Sequence, residues 1–251
     1  MPEIDYGFLI GLEPKAIVEW FKKKGNTISW NWQEVWKEAN LKSFTVAKAL
    51  KLDILQDIRN EVDNAIKNGL SVQQFKENLT PVLKTKGWWG KVPAKDVPGV
   101  NSADLEDPEK PVQLGSPYRL KNIYTTNLNV AYSKGNYDGM KTNVSKRPYW
   151  MYEAVLDANT RPDHRKLHGK VFRADDPIWK THYPPNGWGC RCTVRALDQD
   201  DLEEMNLKVV KGPDYEGSIK IDKGWDYNPG EGYEPDLKKY DKDLVKAYKN
   251  D

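Results

Sequence analysis

Prolines and glycines interrupt the chain between residues 87 and 115, and this interruption constrains the fold more than any other sequence feature. The stretch opens with Gly87-Trp88-Trp89-Gly90 and contains the acidic run Asp104-Leu105-Glu106-Asp107. Its prolines are Pro93, Pro98, Pro108 and Pro111. Proline removes a backbone donor and glycine favours turns, so we expect neither a long helix nor a central strand here. The sequence therefore predicts a Pro/Gly-rich linker or extended arm over residues 87–115.

The residues before this stretch have the periodicity of helices. A segment from about Glu34 to Lys67 carries apolar residues at helical spacing, and Asn68-Gly69 follows as a stop signal. The apolar positions are Ile54, Leu55, Ile58, Val62, Ala65 and Ile66. Ser71 and Gln74 then form a capping box for the next helix. The inner face of that helix is expected to be Val72, Phe75 and Leu79. We expect a helical N-terminal region over residues 1–86.

Tryptophans are frequent in this region. An earlier helix is expected to start near Pro14 and to end at Gly25, and Trp30, Trp32 and Trp36 follow it. One interpretation is a helical bundle that buries these rings. The alternative is a docking surface for a partner protein, because tryptophan and tyrosine are favoured anchors of interfaces.

The residues after the interruption predict a mixed fold. Ser116-Pro117 begins the most regular helix, with serine as N-cap and proline at the first position, and the helix is expected to end near Gly135 to Gly139. One face of it carries Leu120, Ile123, Tyr124, Leu128, Ala131 and Tyr132. Short strands are expected at Tyr149–Leu156, Lys170–Phe172 and Arg191–Arg195.

The predicted fold class is therefore α+β, with a helical N-terminal region followed by a small domain in which one long helix packs on a short, loop-rich β-sheet. The expected boundaries are residues 1–86 for the helical region, 87–115 for the linker or arm, 116–200 for the core domain and 201–251 for a charged C-terminal extension.

Composition excludes several classes of protein. Apolar runs fall well short of the roughly 20 residues that a membrane-spanning helix needs, and the acidic start Met1-Pro2-Glu3-Ile4-Asp5 does not resemble a signal peptide. The net charge is +2, from 39 basic and 37 acidic residues, so there is no footprint of strong charge-driven nucleic-acid binding. We expect a protein that stays in the cytoplasm where it is made, with no membrane partner.

All histidines and cysteines of the chain fall between residues 164 and 192: His164, His168, His182, Cys190 and Cys192. His164 and His168 share one face if their loop forms a helical turn, and Cys190 and Cys192 share one face of a strand. Two histidines and two cysteines suit tetrahedral zinc, so these four residues are the candidate ligands of a structural zinc ion. Most zinc sites separate their cysteines by two or more residues, which weakens this prediction.

Two alternatives to zinc remain at this point. The histidines can hydrogen-bond to loop backbone while the thiols pack as small hydrophobic groups. A catalytic site would instead pair His164 with Asp163, Asp175 or Asp176 as a general base, or use a Cys-His nucleophile. Because nothing in the sequence fixes such a geometry, we expect no enzyme, no catalytic residue and no small-molecule substrate.

Two motifs in this region resemble the phage Mu protein F-like family of minor head proteins. One begins at Asp157 and continues through Thr160-Arg161-Pro162 and Leu167-x-Gly169 to Val171-Phe172. The other is Tyr183-Pro184-Pro185-Asn186-Gly187-Trp188-x-Cys190-Arg191-Cys192. Parts of the N-terminal half, including Gly87-Trp88-Trp89-Gly90, also match, so the resemblance covers nearly the whole chain.

The resemblance implies a minor head protein of a phage or prophage that acts in procapsid and head morphogenesis. It implies binding to the portal or the inner capsid, with DNA as a further candidate partner. The location would be the bacterial host cytoplasm during assembly and then the virion head. The alternatives are a DNA-binding accessory protein that is ejected with the genome, or a metal-dependent nuclease or ADP-ribosyltransferase-like enzyme.

Overall fold

The computed structural model describes residues 20–22, 24–26, 28–30, 43–215, 217 and 219–231. Its helices are α1 Leu52–Asn68, α2 Val72–Thr85, α3 Pro117–Thr142, α4 Pro162–Leu167, α5 Trp179–His182 and α6 Gln199–Glu204. Its strands are β1 Gly25–Asn26, β2 Ser43–Phe44, β3 Lys91–Pro93, β4 Pro111–Gln113, β5 Tyr149–Glu153, β6 Val171–Arg173 and β7 Thr193–Leu197. The predicted helix start near Pro14, the rings of Trp32 and Trp36, and the end of the charged extension lie outside the described residues.

Helices α1 and α2 form as their periodicity predicts. All of the predicted apolar positions of α1 are buried, and Gly69 ends the helix in the left-handed conformation at φ +65°. Both hydrogen bonds of the Ser71/Gln74 capping box are present at the start of α2. Phe75 and Leu79 are buried on the inner face of α2, while Val72 is half-buried. Local signals at these positions were therefore sufficient to place both helices.

The predicted helix from about Glu34 to Lys67 is wrong for residues 43–51. In place of helix, Ser43–Phe44 pairs in parallel with Gly25–Asn26, and Lys48 has a φ of +64°. Tertiary hydrogen bonds hold the turn at this point: Arg119 donates to the Ala47 carbonyl at 2.8 Å, and Trp88 Nε1 donates to the Lys48 carbonyl at 2.7 Å. Contacts with residues far along the chain thus override the local helical preference.

The stretch 87–115, expected to be a linker or extended arm, is instead folded against the helices. Strands β3 and β4 form an antiparallel pair in which Val92 lies opposite Val112. Trp88, Val97 and Leu114 are buried in the same hydrophobic cluster as α1 and α2. The prolines here terminate short strands and shape turns without making an open linker.

Helix α3 connects the two halves of the molecule. Ser116 caps it by accepting a hydrogen bond from the Arg119 backbone N–H at 3.2 Å, as predicted. Leu120 and Leu128 pack into the cluster of α1 and α2, whereas Tyr137 and Met140 pack into the cluster of the later sheet. This second set of contacts explains why the predicted end near Gly135 to Gly139 is wrong and the helix continues to Thr142. A glycine inside a helix costs only about 1 kcal/mol relative to alanine.

The central sheet is antiparallel, with strand order β6-β5-β7. Trp150 and Tyr152 of β5 face a cluster that includes Trp179 and Tyr183, and Met151 faces a smaller cluster with Leu197 and Leu202 on the other side. All predicted strands exist, although β5 ends at Glu153 and β7 begins at Thr193. The α+β fold class is confirmed, with the long helix α3 contacting β7 of the short sheet.

Within the described part of the chain, no helix is both long enough and apolar enough to cross a membrane.

Candidate metal centre

His164 lies on the short helix α4, which Pro162 opens at its first turn. The side chain is only 2% exposed. Leu167, also buried, faces inward from the same helix. The helix therefore directs the imidazole ring towards the interior of the molecule.

Cys190 and Cys192 lie just before β7, after Gly189 at φ +67°. Cys190 is buried and Cys192 is half-buried. Asn129 of α3 holds this segment by donating to the Cys190 carbonyl at 2.7 Å. The predicted strand is wrong for Cys192, because β7 begins at Thr193, and the two thiols therefore do not share the face of a strand.

The structure brings His164, Cys190 and Cys192 together, with their ligand atoms all within 4.8 Å of one another. Nδ1 of His164 lies 3.6 Å from the Cys190 sulfur and 3.4 Å from the Cys192 sulfur. For tetrahedral zinc with bonds of about 2.3 Å to sulfur and 2.0 Å to nitrogen, the nitrogen-to-sulfur separation is about 3.5 Å. Both nitrogen-to-sulfur separations are thus close to the value that a tetrahedral zinc site requires.

His168, the fourth predicted ligand, is not part of this group. Helix α4 ends at Leu167, and the backbone of His168 is already non-helical, at φ −54° and ψ 129°. Its exposed side chain accepts a hydrogen bond at Nδ1 from the Ala154 backbone N–H at 3.1 Å. Since the i, i+4 argument requires a helix that includes both residues, the early end of α4 separates the two rings. His182 also lies elsewhere, on α5, with its Nδ1 at 2.8 Å from Thr181 Oγ1.

The second nitrogen of the His164 ring is buried and, among the described residues, has no hydrogen-bond partner. Leaving such a group unsatisfied costs about 1–3 kcal/mol. The fold nevertheless holds Nδ1 against two sulfurs. A neutral ring nitrogen has a single lone pair, so Nδ1 cannot fully satisfy both thiols as a hydrogen-bond acceptor. A metal bond at Nδ1 is an interaction that would offset the cost.

Each thiol shifts the pKa of the other. Hydrogen bonds from the Cys192 thiol and then from His164 lower the pKa of Cys190 well below its ordinary value, and the Asn186 backbone N–H contributes in the same direction. The hydrogen bond to Cys190, together with burial, raises the pKa of Cys192 above its ordinary value. Because zinc binds thiolates, its binding at these cysteines would release protons.

Tyr152 and Asn186 lie directly against the group, and sequence reasoning assigned neither a role. Both side chains are 0% exposed, and the Tyr152 hydroxyl donates to Asn186 Oδ1 at 2.8 Å. The hydroxyl also lies within hydrogen-bonding reach of the Cys192 thiol, and burial raises the pKa of Tyr152. Both residues pack against the thiols. In the sequence, the family motif includes Asn186 and a predicted strand includes Tyr152, and these were the signals available for them.

A bidentate ion pair ties the loop before α4 to the cysteine segment. Arg191, between the cysteines, donates to both carboxylate oxygens of Asp157, at 2.7 and 2.5 Å. Asp157 also accepts from the Asn159 backbone N–H at 2.9 Å and from the Thr160 hydroxyl at 3.2 Å. The hydrogen bond from Arg191 is the main reason that the pKa of Asp157 lies below its usual range. The pair fixes the position of His164 relative to the thiols.

A cavity of about 630 Å³ opens beside the site, between α3 and β7. Both cysteines and His168 line it, whereas His164 approaches the thiols from outside this wall. Helix α3 contributes polar residues, among them Asn136, which donates to the Val194 carbonyl at 2.8 Å. The half-buried Cys192 is therefore the more accessible of the two cysteines, whereas Cys190 and His164 are buried.

The carboxylates considered as partners of His164 are engaged elsewhere. Asp163 pairs with Lys166 at 2.7 Å, and Asp175 pairs with Arg173 at 2.8 Å. Asp176 accepts hydrogen bonds from the backbone N–H groups of Ile178 and Gly212. Among the described residues, the His164 ring has its hydrogen-bond contacts with the two sulfurs and with no carboxylate, so the general-base pairing is not assembled.

Comparison with known proteins gives a consistent picture. A family model described as Phage Mu protein F like protein matches residues 56–195. The putative capsid assembly protein F of Escherichia phage Mu is 41% identical over 248 residues, which cover 98% of this chain and 55% of that protein. The Mu-like prophage FluMu F protein of Haemophilus influenzae is 42% identical over 231 residues, covering 81% of this chain and 53% of that protein. No solved structure matches the chain.

The chain spans about half the length of the curated relatives that it matches. The family model covers α2, α3, the central sheet except the end of β7, and all three residues of the candidate metal centre. Because the match extends over more than half of the sequence, the chain belongs to the phage Mu protein F-like family.

Proposed function

We propose that this chain is a minor head protein of a phage or prophage that acts in procapsid and head morphogenesis. The observation that carries this proposal is the similarity over 98% of the chain to a relative named as a putative capsid assembly protein. The chain would act in the bacterial host cytoplasm during assembly and then remain in the virion head. Its partners would be the portal and other capsid proteins.

Exposed aromatic side chains support a docking role. Tyr118, on the first turn of α3, is 72% exposed, and Trp188 is 39% exposed beside the cysteine segment. Large aromatic side chains are favoured anchors of protein interfaces. Trp30 is half-buried, so part of the predicted tryptophan docking surface faces inward. Tyr118 and Trp188 are the better candidates for contacts with head proteins.

Co-purification tests this role. The chain, expressed with the portal protein of the same phage, should be retained on tagged portal, and Tyr118→Ala or Trp188→Ala should weaken retention about 10-fold or more. Lys121→Ala is the matched control on α3, because its side chain is exposed but lacks an aromatic ring. Failure of wild type to bind either portal or capsid protein would contradict the proposed partners.

A DNA-binding accessory protein that leaves with the genome is the second candidate. The near balance of 39 basic and 37 acidic residues does not favour it. Binding through phosphates would weaken steeply as salt concentration rises. A titration of duplex DNA at several salt concentrations distinguishes the two, since a flat response would exclude a phosphate-binding role.

We propose a structural and not an enzymatic role. The supporting observation is that Asp163, Asp175 and Asp176 bind other groups and do not orient His164. A nuclease assay with magnesium, comparing wild type with His164→Ala, should show no turnover by either protein. Activity that His164→Ala abolishes while the fold is retained would establish an enzyme instead.

We also propose that residues 116–200 form the core domain, preceded by the helical region 1–86 and followed by the extension 201–251. Support for this division comes from the sheet cluster, whose members run from Tyr137 to Val194 with Ile219 of the extension packed beside them. Residues 87–115 act in this scheme as a folded connector, because their buried side chains pack with α1 and α2.

As its cofactor we propose a structural zinc ion bound by His164, Cys190 and Cys192. The nitrogen-to-sulfur separations of 3.6 and 3.4 Å support it. Elemental analysis of the purified chain should find about one zinc ion per chain, and Cys190→Ser should abolish it. Wild type without bound metal would end this proposal.

A further inference from the structure

The residues proposed to bind zinc supply three donors, whereas zinc in proteins prefers four in a tetrahedron. His168 does not provide the fourth, because its Nδ1 accepts a hydrogen bond from the Ala154 backbone N–H. The remaining donor thus has to come from another side chain beside the thiols or from solvent.

Tyr152 is a neighbouring side chain whose oxygen atom is a candidate for the fourth ligand. Its hydroxyl donates to Asn186 Oδ1 at 2.8 Å, and both side chains are fully buried. Asn186 in turn donates from Nδ2 to the Tyr183 carbonyl at 3.3 Å. The hydrogen bond to Asn186 keeps the proton on the Tyr152 hydroxyl, and a phenol is not among the usual protein ligands of zinc, which are thiolate, imidazole and carboxylate.

Solvent can reach the half-buried Cys192 from the α3 side. Cys190 and Cys192 both line the cavity of about 630 Å³ between α3 and β7. A water molecule occupies about 30 Å³ of liquid volume, so the cavity is large enough for several. Its wall carries polar side chains, among them Asn129, Ser133 and Asn136, that can hydrogen-bond to water.

From this arrangement we infer that the zinc site has three protein ligands and an exchangeable fourth position, filled by a solvent-derived ligand from the α3–β7 cavity. This inference rests on the zinc ion of the proposed function. It places His168 in the cavity wall, where His168 Nδ1 accepts a hydrogen bond from the Ala154 backbone N–H just after β5. It also assigns to the site a class of exogenous ligand, namely water and small anions that bind metals.

Cobalt substitution of the full chain tests the inference, because tetrahedral cobalt reports its ligands in the visible spectrum. The wild-type chain should bind about one cobalt ion. Titration with azide, a small anionic ligand, should shift the absorption bands saturably while the cobalt content stays constant. A spectrum that azide does not change would overturn the inference, because a protein side chain would then occupy the fourth position.

One variant tests His168 directly. His168→Ala should bind cobalt with the wild-type spectrum and show the same azide shift. A changed azide-free spectrum in this variant would name His168 as the fourth ligand and contradict the exchangeable position. A wild-type chain that binds neither zinc nor cobalt would instead refute the zinc proposal itself, so the two failures are distinguishable.

Discussion

At the scale of single residues, the bidentate pair of Asp157 and Arg191 holds together two loops that are 34 residues apart. It joins the loop before the helix of His164 directly to the segment of the cysteines. Its strength depends on the ionised carboxylate, which two guanidinium nitrogens and a backbone N–H bind.

Protonation of Asp157 should therefore destabilise the protein. The folded-state pKa lies below the ordinary value of 3.8, so this stabilisation is present above pH 3.8 and is lost as pH falls below it. Asp157→Asn should lower the free energy of unfolding at neutral pH, and the difference from wild type should shrink as the pH falls through that range. Urea unfolding at a series of pH values measures both effects.

Asp175→Asn is the control for this experiment, because Asp175 pairs with Arg173 while its side chain is 70% exposed. We expect it to change stability within about 0.5 kcal/mol at any pH. An Asp157→Asn variant as stable as wild type at neutral pH would mean that the pair does not hold the loops.

At the scale of elements, the sequence predicts best those helix ends that local residues specify. The signals at Gly69, Ser71 and Ser116-Pro117 depend on interactions with residues a few positions away along the chain. The sequence alone was therefore sufficient to place these helix ends. The turn around Lys48 depends on hydrogen bonds from Trp88 and Arg119, which no local pattern reveals. The same reasoning applies to His168, since ending α4 at Leu167 was enough to remove that ring from the candidate site.

The capping box of α2 gives a prediction at this scale. Ser71→Ala removes the acceptor for the Gln74 backbone N–H and should destabilise the protein by about 1 kcal/mol. Thermal or urea unfolding measures the loss. Ser145→Ala, at an exposed turn after α3, is the matched control and should fall within about 0.5 kcal/mol of wild type. Equal stability of both variants would show that the cap does not stabilise α2.

At the scale of the whole molecule, α3 packs against two hydrophobic clusters and connects them. Its first half packs with α1, α2 and the folded stretch 87–115, and its second half packs with the central sheet. The sequence predicted the α+β class because its periodic segments differ on either side of residue 115. It could not predict that the Pro/Gly-rich stretch packs on the helices, since strands as short as Lys91–Pro93 and Pro111–Gln113 carry no periodicity.

This shared helix predicts that the two clusters unfold together. Leu120, which is 0% exposed, lies in the first cluster, and Leu120→Ala should cost about 2–5 kcal/mol. Hydrogen exchange should then accelerate equally for amides of α1 and of β5, although β5 lies in the other cluster. Leu156→Ala, at a site 52% exposed, is the control and should leave both rates nearly unchanged. Faster exchange in α1 alone would indicate two independent folding units.

The central claim is that this chain takes part in building phage heads, and the most direct measurement is the protein content of the heads. Particles from the phage or prophage that encodes the chain can be purified and analysed by mass spectrometry, beside an in-frame deletion of its coding sequence. We predict that the chain is present in wild-type heads and that the deletion reduces the yield of infectious particles. A chain that is absent from particles and dispensable for infectious yield would contradict the account.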